Sequence, residues 1–341
     1  MKPIIAILIC LSVLTQLHAQ EPLSNSWYKC MTGKIDKSPI TMYLHKAGNK
    51  VFGYYYYDNI VQPFSLRGIM DGSKIKLEGF QGIMEKNIFK GIYSAKGNKQ
   101  EPFILMETSD QLLNIFDFIS ITGEKPLKTN SGKEINFFAG SIWPKSTVEP
   151  SVQFYLRRFI AEQFNIKKSE ESINNILQSE KDIFYDPRKK EESSNGNADE
   201  REVLVVYQDE KLISVASIAH IYTAVTREYY SINYAVADLV HKSPLSLIDI
   251  LGTEGTDKLP PLLEKYFRIK YTVDPAKTLK SARLLENEIQ PNDNFYVTAK
   301  GICFCYQPGE LPINSTDLIE IFIPFKELTQ YLTPAITTLL K

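Results

Sequence analysis

The residues best suited to chemistry are few. Cys303 and Cys305 straddle Phe304 in "GICFCYQPGELP". On a strand, residues i and i+2 share a face roughly 7 Å apart, a separation that strains a direct disulfide. A zinc site needs two further ligands, usually a short-spaced Cys or His pair, yet His45, His220 and His241 stand apart from one another. The spacing therefore predicts two buried thiols packing like small apolar side chains, with no metal and no cofactor. There is no Gly-x-Ser-x-Gly elbow, no His-Glu-x-x-His helix and no phosphate loop. A pair of catalytic carboxylates leaves no local spacing signature, so hydrolysis through two acidic side chains stays open. Asn314 heads an Asn-Ser-Thr triplet that matches the N-glycosylation pattern and is read as a chance match.

Elements must position any such residues, and the chain opens with a segment that is removed. Lys2, an apolar run from Ile4 to Leu14 and a small-residue exit ending "LHAQ" form a secretory signal layout, with cleavage expected near Ala19 or Gln20. No later stretch reaches the ~18 apolar residues of a spanning helix. The mature chain is expected outside the cytoplasm, periplasmic or extracellular. It retains Cys30, Cys303 and Cys305, an odd set that forms no disulfide framework. The 39 basic and 40 acidic residues give a formal net charge of −1, which argues against nucleic acid as a partner.

From Trp27 to about Glu107 short stretches alternate apolar and polar residues, including "WYKCMTGKI", "PITMYLHK", "KVFGYYYYD" and "KIKLEGF". Turn signals at Gly48-Asn49, Asp58-Asn59, Asp71-Gly72 and Gly97-Asn98 punctuate them. An antiparallel meander closing into a barrel or sandwich follows. In "GYYYY", Tyr54 and Tyr56 share one face, Tyr55 and Tyr57 the other. That gives one inward and one outward pair, the outward pair available to stack on a sugar or a partner.

Beyond about Ser109 the pattern is α+β. "VEPSVQFYLRRFIAEQF" has helical spacing with Pro150 in its first turn. "SEESINNILQSEKDIFYD" is a second helix with Ser169 as N-cap. The charged stretch 187–202 reads as a mobile loop. "EVLVVYQ", "LISVASIAHIYTAVT" and "EYYSINYAVADLV" form a meander. A helix capped by Ser243 and another broken early by Pro260 and Pro261 come next. A hairpin of "NFYVTAK" with "GICFCYQ", the strand "IEIFIPF" and a short helix stopped before Pro334 complete the chain. The organisation expected is a signal peptide over 1–20, an antiparallel β-domain over 21–108 and an α+β domain over 109–341. The latter carries an antiparallel sheet with packed helices.

The C-terminal stretch supplies Phe295, Tyr296, Val297, Gly301, Tyr306, Pro308, Glu310, Ile323, Pro324 and Phe325 in order. In this it resembles an extracytoplasmic domain family found in the lysozyme-sensing anti-sigma factor RsiV and beside the catalytic domain of the peptidoglycan deacetylase PdaC. The resemblance spans about 110–335. It includes "SIWP" before a helix, "EKLISVASIAHIY", and Asn233 with Tyr234, where Ala235 replaces the family's acid. The family's Gly-Gly-Ala-His turn is absent: Tyr222 is followed by "TAVTREYY". The turn after Pro308 is also shorter by one residue. No His-x-x-x-His occurs, so the deacetylase's metal-binding domain is missing. The resemblance implies a non-catalytic binding or sensor-type protein of the bacterial cell envelope. Its partner would be an envelope protein or glycan, lysozyme-like or peptidoglycan-related ligands among them. The family's distinctive turns map onto Tyr222, Arg227, Glu228, Tyr229 and Glu310, which are the ligand-binding residues it implies. The bland reading of Glu310 is that it ties its own turn to backbone amides. The alternative to binding is an envelope polysaccharide hydrolase with an unrecognised carboxylate pair.

Overall fold

The computed structural model describes residues 26–94, 99–128, 134–166, 171–186, 197–222, 228–311 and 318–340. The expected signal segment 1–20, the Gly97-Asn98 turn signal, residues 187–196, Arg227 and Asn314 lie outside them. Eight antiparallel strands close into a barrel: β1 (Ser26–Ile35), β2 (Ser38–Ala47), β3 (Lys50–Tyr57), β4 (Phe64–Asp71), β5 (Lys74–Leu77), β6 (Phe80–Glu85), β7 (Ile88–Ser94) and β8 (Gln100–Glu107). Closure comes from β1 pairing back onto β8, from Met31↔Glu107 to Ile35↔Phe103. The stretch "KIKLEGF" is two strands rather than one, because Gly79 turns the chain at φ 76° between β5 and β6.

Inward residues at every second position, among them Met31, Leu44, Leu66, Phe80, Phe89 and Phe103, form one buried cluster. Eight strands leave a bore about wide enough for side chains to fill. Close strand approach demands glycine at several barrel positions. A Cβ on Gly33 or Gly91 would sit 2.0 Å from a carbonyl oxygen of the neighbouring strand. The tyrosine run divides by parity as the alternation predicts, with Tyr55 in the barrel cluster and Tyr54 and Tyr56 outside it. The outer pair is not free to stack on a ligand: both rings are buried against the second half of this chain.

That half begins with β9 (Phe116–Thr122), a small hairpin of β10 (Leu127–Lys128) and β11 (Glu134–Ile135), and β12 (Phe138–Pro144). Two helices follow, α1 (Pro150–Glu162) and α2 (Ile173–Tyr185), then β13 (Asn197–Gln208), β14 (Leu212–Tyr222), β15 (Glu228–Asp238) and β16 (Ser243–Pro244). The chain continues through α3 (Leu247–Asp257), α4 (Leu259–Tyr271), β17 (Phe295–Thr298), β18 (Gly301–Tyr306), β19 (Ile319–Pro324) and α5 (Pro334–Leu339). A six-stranded sheet has the order β16-β15-β14-β13-β12-β9, and a three-stranded sheet has β17-β18-β19. Only β12 and β13 of the larger sheet run parallel, because α1 and α2 fill the connection between them. The fold is thus a closed antiparallel barrel followed by an α+β region. The small sheet packs on β14, where Ser214 Oγ donates to the Val297 carbonyl at 2.7 Å and accepts its N–H at 3.0 Å.

Several local expectations need correction. β13 starts at Asn197, so 197–202 is strand and not loop. Its charged residues are held by tertiary partners that a local pattern cannot show. The N-cap of α2 is Ser172, whose side chain accepts the Asn175 N–H at 3.3 Å. Ser243 lies in β16, while Ser246 and Asp249 form the capping box of α3. Pro260 and Pro261 fit the first turn of α4, where no N–H is needed. The short helix expected before Pro334 is two 3-10 turns, Phe325–Glu327 and Thr329–Tyr331, and Pro334 itself starts α5.

The barrel is joined to the α+β region by a shared core. Tyr28, Tyr43, Phe52, Tyr54 and Tyr56 from the barrel's outer face belong to the same buried cluster as β12, β13 and β14. Tyr43 Oη donates to the Gln208 carbonyl at 2.9 Å and accepts the Gln208 N–H at 3.1 Å.

Candidate functional site

Where the barrel meets β13, four charged side chains come together. Period-two geometry puts Glu200 and Glu202 on one face of β13. Arg67 on β4 grips Glu202 with both terminal nitrogens, at 2.6 and 3.3 Å. Lys50 on β3 bonds Glu200. Glu202 is 1% exposed and Arg67 35%, so the fork arrives from the surface to neutralise a carboxylate inside. Burial pushes the Glu202 carboxyl upward, and Arg67 opposes that push. For Glu200 burial acts the same way, but the hydrogen bond and charge of Lys50 outweigh it and hold the carboxyl below its usual range.

Tyr230 caps this cluster. Its hydroxyl donates to Glu200 Oε2 at 3.3 Å, and the Arg67 guanidinium lies 5.1 Å from its ring centroid. The His220 ring packs on its other neighbour side, centroids 4.7 Å apart. A β-bulge between Ala198 and Glu200 re-aims Asp199, which meets His220 Nδ1 at 2.8 Å. Tyr230 remains 39% exposed. The result is an aromatic platform held by three neighbours and ringed by both signs of charge. Such a surface can stack on a sugar ring or anchor a protein contact.

The sequence-picked residues fall beside this platform. Tyr222 pairs with Glu228 and Ile221 with Tyr229 at the end of the β14–β15 hairpin, two and one residues beyond the His220↔Tyr230 pair. For Tyr222, Glu228 and Tyr229 the backbone alone is described, and Arg227 lies outside the described residues. Glu310 sits elsewhere on the same strand's flank. Its carboxylate accepts the Gln307 N–H at 2.7 Å and Asn292 Nδ2 at 3.0 Å, the turn-tying role given by its bland reading. Gln307 in turn clamps the Ile232 backbone of β15, donating to its carbonyl at 2.6 Å. Sequence reasoning passed over Tyr230, Glu200, Glu202 and Arg67. The one available signal was "ADEREVLV", whose acids at i and i+2 run straight into an apolar strand.

The other chemistry-bearing groups are closed off. Cys30, Cys303 and Cys305 are free and buried, and burial raises the Cys30 thiol to about 12 and both others further. β18 is buried on both faces, so the two thiols of Cys303 and Cys305 form wall. Among the described residues no cluster of three or more His, Cys, Asp or Glu is placed to hold a metal. Glu200 and Glu202 stand roughly 7 Å apart by strand geometry, within the span of a glycosidase pair. Both Glu202 oxygens accept from Arg67, and the side chain is buried at 1% exposure. No helix among the described residues is long and apolar enough to cross a membrane.

Fold and site together define a two-part scaffold, a closed antiparallel barrel followed by an α+β region, with an aromatic surface platform where the two meet. Residues 249–326, from α3 to just past β19, match the family described as "Protein of unknown function (DUF3298)". A DUF3298-family crystal structure from Bacteroides fragilis is similar at a TM-score of 0.51 and 18% identity, covering 66% of this chain and 97% of that one. Another from Pseudomonas aeruginosa has a TM-score of 0.46 at 12% identity, covering 65% of this chain and 97% of that one. None of the curated proteins matches. The Bacteroides likeness concerns the fold, and about a third of this chain lies outside it.

Proposed function

We propose that this chain is an exported, non-catalytic recognition protein of the bacterial envelope that binds a protein or glycan through the face built on Tyr230. The observation that carries the reading is the half-open Tyr230 ring, pinned by Arg67, Glu200 and His220 at the base of the β14–β15 hairpin. A preorganised aromatic loses little conformational entropy on binding. Tyr and Arg are also the residue types that dominate binding hot spots. Tyr222, Arg227, Glu228 and Tyr229 neighbour Tyr230 in the sequence and are proposed to contribute to the same contact. Glu310 serves it indirectly, through the turn that clamps β15. The extracytoplasmic setting is supported by the signal-type N-terminus and by the resemblance to the envelope-sensing family of RsiV and PdaC. The absent Gly-Gly-Ala-His turn favours a ligand other than the one that family's sensor takes.

Calorimetric titration of the mature protein with soluble peptidoglycan fragments, and separately with lysozyme, tests the reading. One ligand class is expected to bind, and Tyr230→Ala to weaken it about tenfold or more. Silence from both classes, or an unaltered affinity in Tyr230→Ala, contradicts the assignment.

A further inference from the structure

A second concave feature lies away from Tyr230, between the β3–β4 turn of the barrel, the C-terminal half of α4 and the end of β19. Its volume is about 730 Å3, inside the range of small-ligand sites, roughly 300 to 1,000 Å3. Ile60, Phe64, Ile269, Phe322 and Phe325 give it an apolar floor. Ile60, Phe64 and Ile269 are 48, 41 and 65% exposed, an unusual concentration of bare apolar surface in one place.

The charged residues that line it have one sign. Lys270, Lys300 and Lys326 line the groove, and no Asp or Glu does. Lys270 is committed to Glu320, donating to its carbonyl at 2.7 Å and pairing with its carboxylate at 3.8 Å. Lys300 and Lys326 make no ion pair with a described carboxylate, in a chain whose formal net charge is only −1.

The β3–β4 turn is held in a costly shape. Val61 adopts φ 52°, a left-handed conformation that a β-branched residue rarely takes. The shape buries Val61 at 5% exposure in the shared core and turns its neighbour Ile60 outward onto the groove. The Ile60 and Val61 N–H groups both donate to the Tyr57 carbonyl, at 2.9 and 2.8 Å. The wall is therefore preformed.

We propose that this groove binds a single-chain amphiphilic anion, a long acyl chain ending in a carboxylate. The chain lies on the Ile60–Phe64–Ile269–Phe322–Phe325 floor, and the head is met by Lys300 and Lys326 with Lys270 behind them. An apolar floor alone would accept any hydrophobe; the all-cationic rim selects the sign of the head. The site is separate from the Tyr230 face and does not depend on it.

The test is titration of the mature protein with dodecanoate below its micellar concentration, with dodecyltrimethylammonium as the chain-matched cation. Saturable binding of dodecanoate at one site is expected, with the cationic amphiphile at least tenfold weaker. Lys300→Glu/Lys326→Glu should weaken dodecanoate about tenfold or more. Ile269→Asp, at an exposed position, should do the same without loss of folding. Equal binding of both amphiphiles overturns the proposal, as does indifference to the lysine reversals. If dodecanoate does not bind and Ile269→Asp turns an oligomer into a monomer, the groove is an interface between copies, and the proposal also falls.

Discussion

His45 must be neutral to do what it does. Its Nε2 accepts the Val205 N–H at 3.2 Å across the barrel–sheet junction, which requires an unprotonated nitrogen. It is fully buried beside Phe52 and Phe118. Burial drives its pKa from 6.5 down to about 3, with the Phe52 backbone pulling weakly the other way. The unfolded chain takes up a proton near pH 6.5, the folded one only near 3, so stability falls as pH drops through that window. The limiting contribution is about 5 kcal/mol. Chemical denaturation at pH 7 and pH 4 should show the loss, and His45→Gln, which keeps an acceptor and cannot titrate, should flatten it. A pH profile identical in both proteins refutes this role. The cysteines give a companion prediction. A thiol-reactive dye should label none of Cys30, Cys303 and Cys305 in the native protein and all of them in denaturant, and fast native labelling of Cys305 contradicts their burial. The fate of Cys303 and Cys305 was legible because strand spacing and missing partner ligands are local facts. Glu200 and Glu202 were not, because their partners Lys50 and Arg67 lie more than a hundred residues away in the chain.

Among elements, β13 carries the most consequence. It pairs on both edges, with β12 and β14, and its Glu200–Glu202 face meets the barrel. Because Glu202 is buried and Arg67 is its neutralising partner, Arg67→Ala should cost roughly 3 kcal/mol by stranding a charge. Replacing both with similarly sized apolar residues should restore most of it. Lys50→Ala, at a more exposed pair, should cost under about 1 kcal/mol. Denaturant midpoints separate these outcomes; equal costs for Arg67→Ala and Lys50→Ala would count against the buried role of Glu202. The helices were readable in type but shifted at their ends. Ser246, not Ser243, caps α3 because Asp249 returns the bond, its Oδ2 accepting the Ser246 N–H at 2.8 Å. Ser246→Ala should accordingly cost about 1 kcal/mol. The start of β13 was hidden for a deeper reason: a charged strand looks like a loop until its counter-ions are known.

For the molecule as a whole, the barrel and the α+β region share one core rather than touching at a wet boundary. Tyr54 and Tyr56 are the clearest instance. That they share one face was evident in the sequence, but which way that face points and what covers it were not, since the covering surface comes from β13 and beyond. This predicts a single cooperative thermal transition in calorimetry, and two resolved transitions would show that the barrel folds as its own unit. A fused core also gives the Tyr230 platform a rigid base, since Arg67 and Lys50 come from the barrel while Glu200, His220 and Tyr230 come from the sheet. Deuterium exchange of the mature protein, with and without a bound envelope ligand from the calorimetric series, reads that account most directly. Protection concentrated at Glu228–Ile232 and Gln307–Leu311, with β6 and β7 of the barrel unchanged, is the predicted result. Protection confined to the far side of the barrel, with the β14–β15 hairpin untouched, would contradict it.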